Sequence, residues 1–395
     1  MLKLQEPISS AQAKASTLLF RSHASLKDIG RPAWRDCFAG EIEGYDYHLA
    51  LERAGMDDFT LGYYTLSAGE KILCCAPHFT TNYDLVTTAQ GHVQTLLLVV
   101  RKYLPGRLKL GLSCLGAPET EFCQIGFTAS LGALERQKLM QELLQGWQTD
   151  TAARGIGLLG IKDVGHVDNT CYGDVFTANG WQEVSSLPCA ALKLPFRSIE
   201  DYLSSLSSAT RKDLRRKLKL RHLVEVEFTT SVEEFLPEIM DMYHATRDAS
   251  DWAFEELSAG YFREVLAARQ SNAVVALYRD RAQGRLVGAN LLLENDASML
   301  DKIFVKHPSE GRRFNLYFLS WMANLERCID KGMQTYIAGA TAYETKLRLG
   351  CSLQQKSIYF RHSRPAVNLL LRSVAPLLAI DQPAPADAAC WEHCQ

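Results

Sequence analysis

Between Asn272 and Val305 the sequence reads NAVVALYRD, RAQG, RLVGANLLLE, ND, SMLDKIFV. Three aliphatic, β-branched runs separated by short polar turns predict an antiparallel meander over 272–280, 285–294 and 298–305. Beyond the loop KHPSEGR a helix is expected from about Arg313 to Lys331, then the strand MQTYIA, a short helix, Gly350 and the strand SLQQKSIYF. The segments before the meander read as helices. Ser198 with Asp201, and Ser231 with Glu234, have the spacing of a capping box, and Pro237 is expected to kink the second of these helices. A third helix is expected from about Ser258 to Arg269. The order helices, three antiparallel strands, helix, strand, helix, strand predicts an α/β (α+β) domain on a mixed, mostly antiparallel sheet.

The first half shows a similar order. DFTLGYYTL, AGE and KILCCAPHF predict a hairpin, followed by a helix over Val86 to Tyr103 and a strand over 107–116. A helix then covers about Ala133 to Gln148, with Leu134, Leu139, Met140, Leu143 and Leu144 on one side. GIGLLGIKD, a helix around 172–179, Gly180 and WQEVSSLPCAALKL repeat the order strand, helix, glycine, strand found at MQTYIAGA, ETKLRLGC and SLQQKSIYF. The expectation is two tandem domains, 57–195 and 196–365, with an N-terminal helical and irregular extension over 1–56 and a C-terminal helix and loose tail over 366–395. A chain of 395 residues has room for two or three domains of roughly 100 to 200 residues.

Composition narrows the function classes. With 47% hydrophobic and 22% charged residues the chain reads as globular. A net charge of -2 gives no overall basic field, so DNA is not an expected partner. The eleven cysteines include no C-x-x-C pair, so no metal site is expected. MLKLQEPISSAQAK lacks the pattern of a secretory signal, and the longest apolar runs, at 96–100 and 367–380, fall short of the roughly 20 residues that span a bilayer. A cytoplasmic setting is expected. RHSRPAVNLLLRSVAPLLAI is read as a helix docked on the body, with peripheral membrane contact as the lesser alternative.

Several residues carry possible chemistry. Asp301 interrupts an apolar strand where an unpaired carboxylate would be costly, and strand alternation puts Lys302 on the opposite face. Asp301 is therefore a candidate base or amine anchor, or else the ion partner of a neighbouring strand. Tyr343, Lys346 and Gly350 fall on one helical face, and Gly350 suits a helix stop. RKDLRRKLKLR, from Arg211 to Arg221, is either a solvated face or a phosphate site built on Arg211, Lys212 and Arg215.

LSSATRKDLRRKLK (206–219), DKIFVKHPSEGRRFNLYFLSWM (301–322) and TAYETKLRLG (341–350) resemble the GCN5-related N-acyltransferase (GNAT) superfamily, in its FemAB-like or BioF2-like branch of two tandem domains. The resemblance implies two GNAT-like domains, the first degenerate and the second catalytic. It implies a sheet that splays between SMLDKIFV and MQTYIA to admit an acyl-pantetheine arm beside Val305, and a pyrophosphate site at Gly311, Arg312, Arg313 and Asn315. Tyr343 would protonate a departing thiolate, with Asp301 and Lys346 beside it. SEGRRFNLYF departs from the usual Q/R-x-x-G-x-G/A loop in having a single glycine. The activity implied is transfer from acyl-CoA or an acyl-carrier protein to a small-molecule or peptide amine. An aminoacyl-tRNA donor is the alternative, and a non-catalytic scaffold is the alternative from another class.

Overall fold

The computed structural model describes residues 17–84, 109–248, 256–268 and 272–374. The helix expected over Val86 to Tyr103 lies outside them. The first half contributes strands β1 (Leu18–His23), β2 (Thr60–Ala68), β3 (Lys71–Asp84), β4 (Lys109–Leu115), β5 (Gly126–Phe127), β6 (Leu158–Gly165) and β7 (Gln182–Ser185). Its helices are α1 (Arg31–Cys37), α2 (Tyr45–Ala54), α3 (Ala133–Ala153) and α4 (His166–Ala178). Then come β8 (Cys189–Lys193), α5 (Ile199–Ser205), α6 (Ser208–Lys217), β9 (Val224–Thr229), α7 (Leu236–Asp248) and α8 (Ala259–Ala267). The meander is β10 (Ala273–Asp280), β11 (Leu286–Glu294) and β12 (Ser298–Lys306). After it follow α9 (Pro308–Arg313), α10 (Leu316–Asp330), β13 (Thr335–Gly339), α11 (Tyr343–Arg348), β14 (Ser352–Gln354), β15 (Lys356–His362) and α12 (Pro365–Val374).

Every residue of β11 is buried, because helices cover both faces of its sheet. Tyr202, Leu214, Leu319 and Trp321 of α5, α6 and α10 fill one side, and Ile239, Met242, Tyr261 and Phe262 of α7 and α8 fill the other. Tyr47, Ala50 and Leu51 of α2 join that second core, so the N-terminal extension packs on the C-terminal half. Leu139, Met140, Leu143, Trp147 and Phe176 form the core of the first sheet. Leu134, expected among them, is 74% exposed in the first turn of α3.

Local signals differ from the sequence reading at three places. The helix expected from about Arg313 starts at Leu316, after Asn315 takes a left-handed conformation at φ 50°, and the segment read as the loop KHPSEGR forms the short helix α9. Pro237 starts α7 rather than kinking it, since the first turn has no use for the missing N–H. Ser231 does not cap that helix; its amide donates to the Thr229 hydroxyl in a local turn.

The two sheets are not consecutive stretches of chain. Their strand orders are β1-β2-β3-β4-β6-β15-β7, with β5 on β3, and β14-β8-β13-β12-β11-β10-β9. Strand β8 leaves the first half to pair antiparallel with β13 and β14. Strand β15 returns from the second half and runs antiparallel between β6 and β7. The division at 195/196 therefore gives way to an exchange of strands.

Two buried ion networks join the halves. Lys302 Nζ lies 2.8 Å from Glu43 Oε1, with side chains only 8% and 4% exposed, and also donates to the Glu119 carbonyl. The Glu121 amide donates to the other Glu43 oxygen at 2.9 Å. Burial alone would lower the Lys302 ammonium; Glu43, then Tyr261 and Glu119, outweigh it and hold it above the ordinary lysine range. Lys356 on β15 reaches Glu121 Oε1 at 3.0 Å and Asp163 at 3.7 Å.

Removing one partner of a buried pair leaves an uncompensated charge. Lys302→Met should lose about 3–5 kcal/mol of stability, and adding Glu43→Leu should recover most of it. Denaturant unfolding of the single and double variants checks both values.

Candidate functional site

Strands β12 and β13 run parallel, but their ladder holds only Ser298↔Thr335, Met299↔Tyr336 and Leu300↔Ile337. Past Leu300 the strands part. On the other edge of β12 a bulge places Ile303 and Asp301 opposite the consecutive residues Leu291 and Leu292, with Lys302 as the extra residue. Residues 301–304 are of intermediate exposure although β12 is an internal strand, with the Lys302 ammonium and the Asp301 carboxyl themselves turned into buried partners. The parting of β12 and β13 past Leu300 makes a crevice walled by strand backbone.

Gly339 lies at the apex of the crevice with φ 70°, and Thr341 and Ala342 follow at φ 66° and 50°. Two consecutive non-glycine residues in the left-handed region cost energy that the surroundings must offset. Lys346 on α11 supplies part of the offset: its ammonium donates to the carbonyls of Ala338, Gly339 and Ala340 at 2.7, 3.1 and 2.7 Å. Burial lowers its proton affinity, against the opposing charge of Asp301. Gly350, at φ 92°, ends α11 as its position predicts.

Asp301 and Lys302 point to opposite faces. Asp301 Oδ2 accepts the Tyr336 hydroxyl at 2.5 Å and lies 3.5 Å from Asn324 Nδ2, on the side of α10. Its partner on the neighbouring strand is thus a hydroxyl and not a cation. Burial raises the carboxyl, with the Tyr336 bond and the Lys346 charge opposing. Tyr343 donates to the Pro188 carbonyl at 2.8 Å, a strut from α11 to the start of β8. Of the residues singled out in the sequence, Asp301 and Lys346 converge on the crevice, whereas the Tyr343 hydroxyl is directed at the strand exchange.

The residues implied for a donor are more dispersed. The Val305 side chain is buried in the core on the α7 side. Gly311 is buried on α9, and a Cβ there would meet Lys306 Cδ at 2.7 Å. Arg312 is exposed, while Arg313 pairs with Glu310 at 3.1 Å and Asp280 at 3.6 Å. Asn315 marks the break before α10. Arg211 caps α5 by donating to the Leu206 and Ser204 carbonyls at 2.7 and 3.1 Å, leaving Lys212 and Arg215 exposed on α6.

Sequence reasoning missed the polar cluster behind Asp301. Asn324 donates to the Tyr336 hydroxyl at 3.1 Å, and Ser320 accepts from Tyr278 and Asn290 at 2.9 and 3.1 Å. The Oδ1 atoms of Asn290 and Asn324 and the Tyr317 hydroxyl are buried with no hydrogen-bond partner. The signal was present: Asn290 interrupts GANLLLE and Asn324 interrupts the apolar face of α10.

The first sheet also parts its parallel pair, since the β4–β6 ladder ends at Leu115↔Ile161. There the gap is filled by the chain itself. Gly116 bonds to the Pro77 carbonyl and Cys123 to the Asp163 carbonyl, each at 2.9 Å, while Lys162 holds the Pro118 and Thr120 carbonyls at 2.6 and 3.3 Å.

Residues 208–347 match the family model described as the acetyltransferase (GNAT) domain. A Mycobacterium tuberculosis protein with the provisional name 8-amino-7-oxononanoate synthase 2, in strains CDC 1551 and H37Rv, is 23% identical over 367 residues. That match covers 89% of this chain and 46% of the relative, so the chain spans about half the length of the curated relatives it matches. The crystal structure of FemX superposes with a TM-score of 0.60 at 11% identity, over 89% of this chain and 100% of that one. A tandem GNAT protein from the clavulanic acid biosynthesis pathway gives 0.53 at 14%, over 88% and 99%. L-PGS from Bacillus licheniformis gives 0.53 at 10%, over 91% and 98%. These likenesses show the fold.

The buried Asp301 carboxyl yields a test with a definite sign. Its folded proton affinity lies above the ordinary 3.8, so over that window the folded state binds more protons and stability falls as pH rises. Asp301→Asn removes this cost. The variant should melt above the wild type at pH 7, with the gap closing below pH 4 by roughly the model-peptide carboxyl range; thermal melts across pH check it.

Proposed function

We propose that the second domain is an N-acyltransferase, a reading supported by the tandem GNAT-like fold and by the match of residues 208–347 to the acetyltransferase (GNAT) domain model. It takes an acyl group from a thioester donor, acyl-CoA or a carrier-protein-bound acyl group, and passes it by direct attack to the amine of a small molecule or peptide-like acceptor. The observation carrying this reading is the contrast between the two partings. The one beside β12 is lined by partly exposed strand residues, and the one beside β4 is packed with its own loop. On this reading the first domain is a support and the second does the chemistry.

The acyl carbonyl would lie along β12 near the bulge, where main-chain N–H groups past Leu300 have no ladder partner on β13. The amine nitrogen attacks the acyl carbon, the C–N bond forms and the C–S bond breaks with its electrons on sulfur. Asp301 positions the bulge through Tyr336 and Asn324, and Lys346 fixes the opposite wall. Tyr343 would have to leave the Pro188 carbonyl before it could serve as an acid. A thioester arm would lie along the main-chain groups that the ended ladder leaves on β12 and β13. The pyrophosphate suits α9 less well, because Lys306 covers Gly311 and Glu310 sits in the first turn, paired with Arg285 at 2.7 Å.

That misfit favours a second reading, an aminoacyl-tRNA donor held at the exposed Lys212 and Arg215. Among the described residues no helix is long and apolar enough to cross a membrane, and a cytoplasmic setting belongs to the proposal.

Calorimetry with acetyl-CoA, a longer acyl-CoA and a charged tRNA separates the two donors. The expected outcome is micromolar acyl-CoA binding that changes less than about twofold in Lys212→Glu/Arg215→Glu. Salt-sensitive tRNA binding without acyl-CoA binding, weakened by the same substitutions, would move the assignment to aminoacyl transfer.

A further inference from the structure

The loop between β4 and β5 does more than fill the first parting. It carries Glu121 to the second one. A Cβ built on Gly339 would stand 3.6 Å from Glu121 Oε2 and 3.8 Å from the Asp301 carbonyl oxygen. The Glu121 carboxylate therefore lies against the glycine at the apex of the crevice, across from the first β12 residue beyond the ladder.

Its position is fixed by residues from the N-terminal extension and from both sheets. Lys356 Nζ, on a side chain 5% exposed, donates to Glu121 Oε1 and to the Glu121 carbonyl, both at 3.0 Å. The Glu121 amide is held by Glu43, which is itself held by Lys302. With one oxygen on Lys356, the other is turned to Gly339, and the carboxylate also takes a hydrogen bond from the buried Cys189 thiol, which an incoming ammonium would displace. The Asp301 carboxylate, by contrast, is committed to Tyr336 on the α10 side.

We propose that Glu121, supplied by the first domain, is the carboxylate that receives the acceptor amine in the second domain's crevice. The proposal rests on the acyl-transfer reading above and names a residue that reading lacks. Glu121 takes one proton from the bound ammonium. The nitrogen lone pair forms the C–N bond, the C–S bond breaks with its electron pair on sulfur, and the second nitrogen proton ends on the thiolate. A carboxylate suits a primary or secondary amine, which is cationic at neutral pH, better than a hydroxyl acceptor. The tandem arrangement then has a catalytic purpose: a domain whose own parting is closed contributes the acceptor-side group of its neighbour.

The test compares wild type, Glu121→Gln and Glu121→Gln/Lys356→Met, with acetyl-CoA as donor and phenethylamine and lysine methyl ester as acceptors. Acetyl-CoA binding by calorimetry is expected to change less than twofold in both variants. Amine-dependent release of free thiol should fall about 100-fold in kcat/KM for the amine in Glu121→Gln, the range of a lost general base. It should stay low in the double variant. Activity in Glu121→Gln within threefold of wild type, or recovery in the double variant, would show that Glu121 only neutralises Lys356 and overturns the proposal. A wild type that neither binds acetyl-CoA nor releases thiol overturns the donor reading itself, an outcome visible before any variant is made.

Discussion

Exchange of β8 and β15 is the constraint from which the rest of the architecture follows. A strand buried inside a sheet must pair its backbone on both edges, and β15 does so only by standing between β6 and β7 of the first sheet. Likewise β8 pairs on both sides in the second sheet. Each half is therefore incomplete without a strand from the other, and the two sheets are held in a fixed relation. Pairs of charges can be buried between them on that basis. Lys302 and Glu43, 259 residues apart in sequence, meet with almost no solvent because the strand exchange has already brought their elements together.

The crevice follows from how a parallel ladder ends. Three residue pairs join β12 to β13, and beyond them the bulge at Lys302 turns β12 while left-handed Thr341 and Ala342 turn the chain after β13. Neither turn is comfortable for the residues that make it. A buried ammonium gathering three carbonyls is the compensating interaction, and it offsets the cost of desolvating Lys346. The same geometry in the first sheet has been closed by chain instead of being held open, and the closing loop became a route by which acidic side chains reach the neighbouring domain.

Much of this was legible in the sequence, and the reasons for the exceptions are physical. The meander was plain because alternation and turn residues are local signals, and β10, β11 and β12 fall where NAVVALYRD, RLVGANLLLE and SMLDKIFV place them. Gly350 announced the end of α11 because a left-handed stop is a property of one residue. Opposite directions for Asp301 and Lys302 followed from strand period alone. Partners did not. Propensity says that CAALKL is extended but not which sheet it joins, so the exchange was hidden. Lys302 gave no sign of Glu43, nor Tyr343 of Pro188, since those pairings exist only once distant strands are in register. Asn324 and Asn290 could have been flagged as polar residues on apolar elements, the same argument that selected Asp301.

The irregular segment after β12 links sequence and chemistry most directly. A phosphate cradle needs several unobstructed main-chain amides at the start of a helix. The chain instead spends that position on a six-residue helix, whose glycine is covered by Lys306 and whose first-turn acid is paired with Arg285 and Arg313, before Asn315 interrupts it. These are features of a surface that satisfies its own charges. On the acyl-transfer reading proposed above, recognition of a large anionic donor would depend less on this helix than on groups placed elsewhere, while the crevice, made of strand backbone and buried polar side chains, would take the acyl group whatever carried it. Two functions usually read from one motif would then be separable in this chain: the parting of β12 and β13 would set where the carbonyl is handled, and surfaces outside that parting which carrier delivers it.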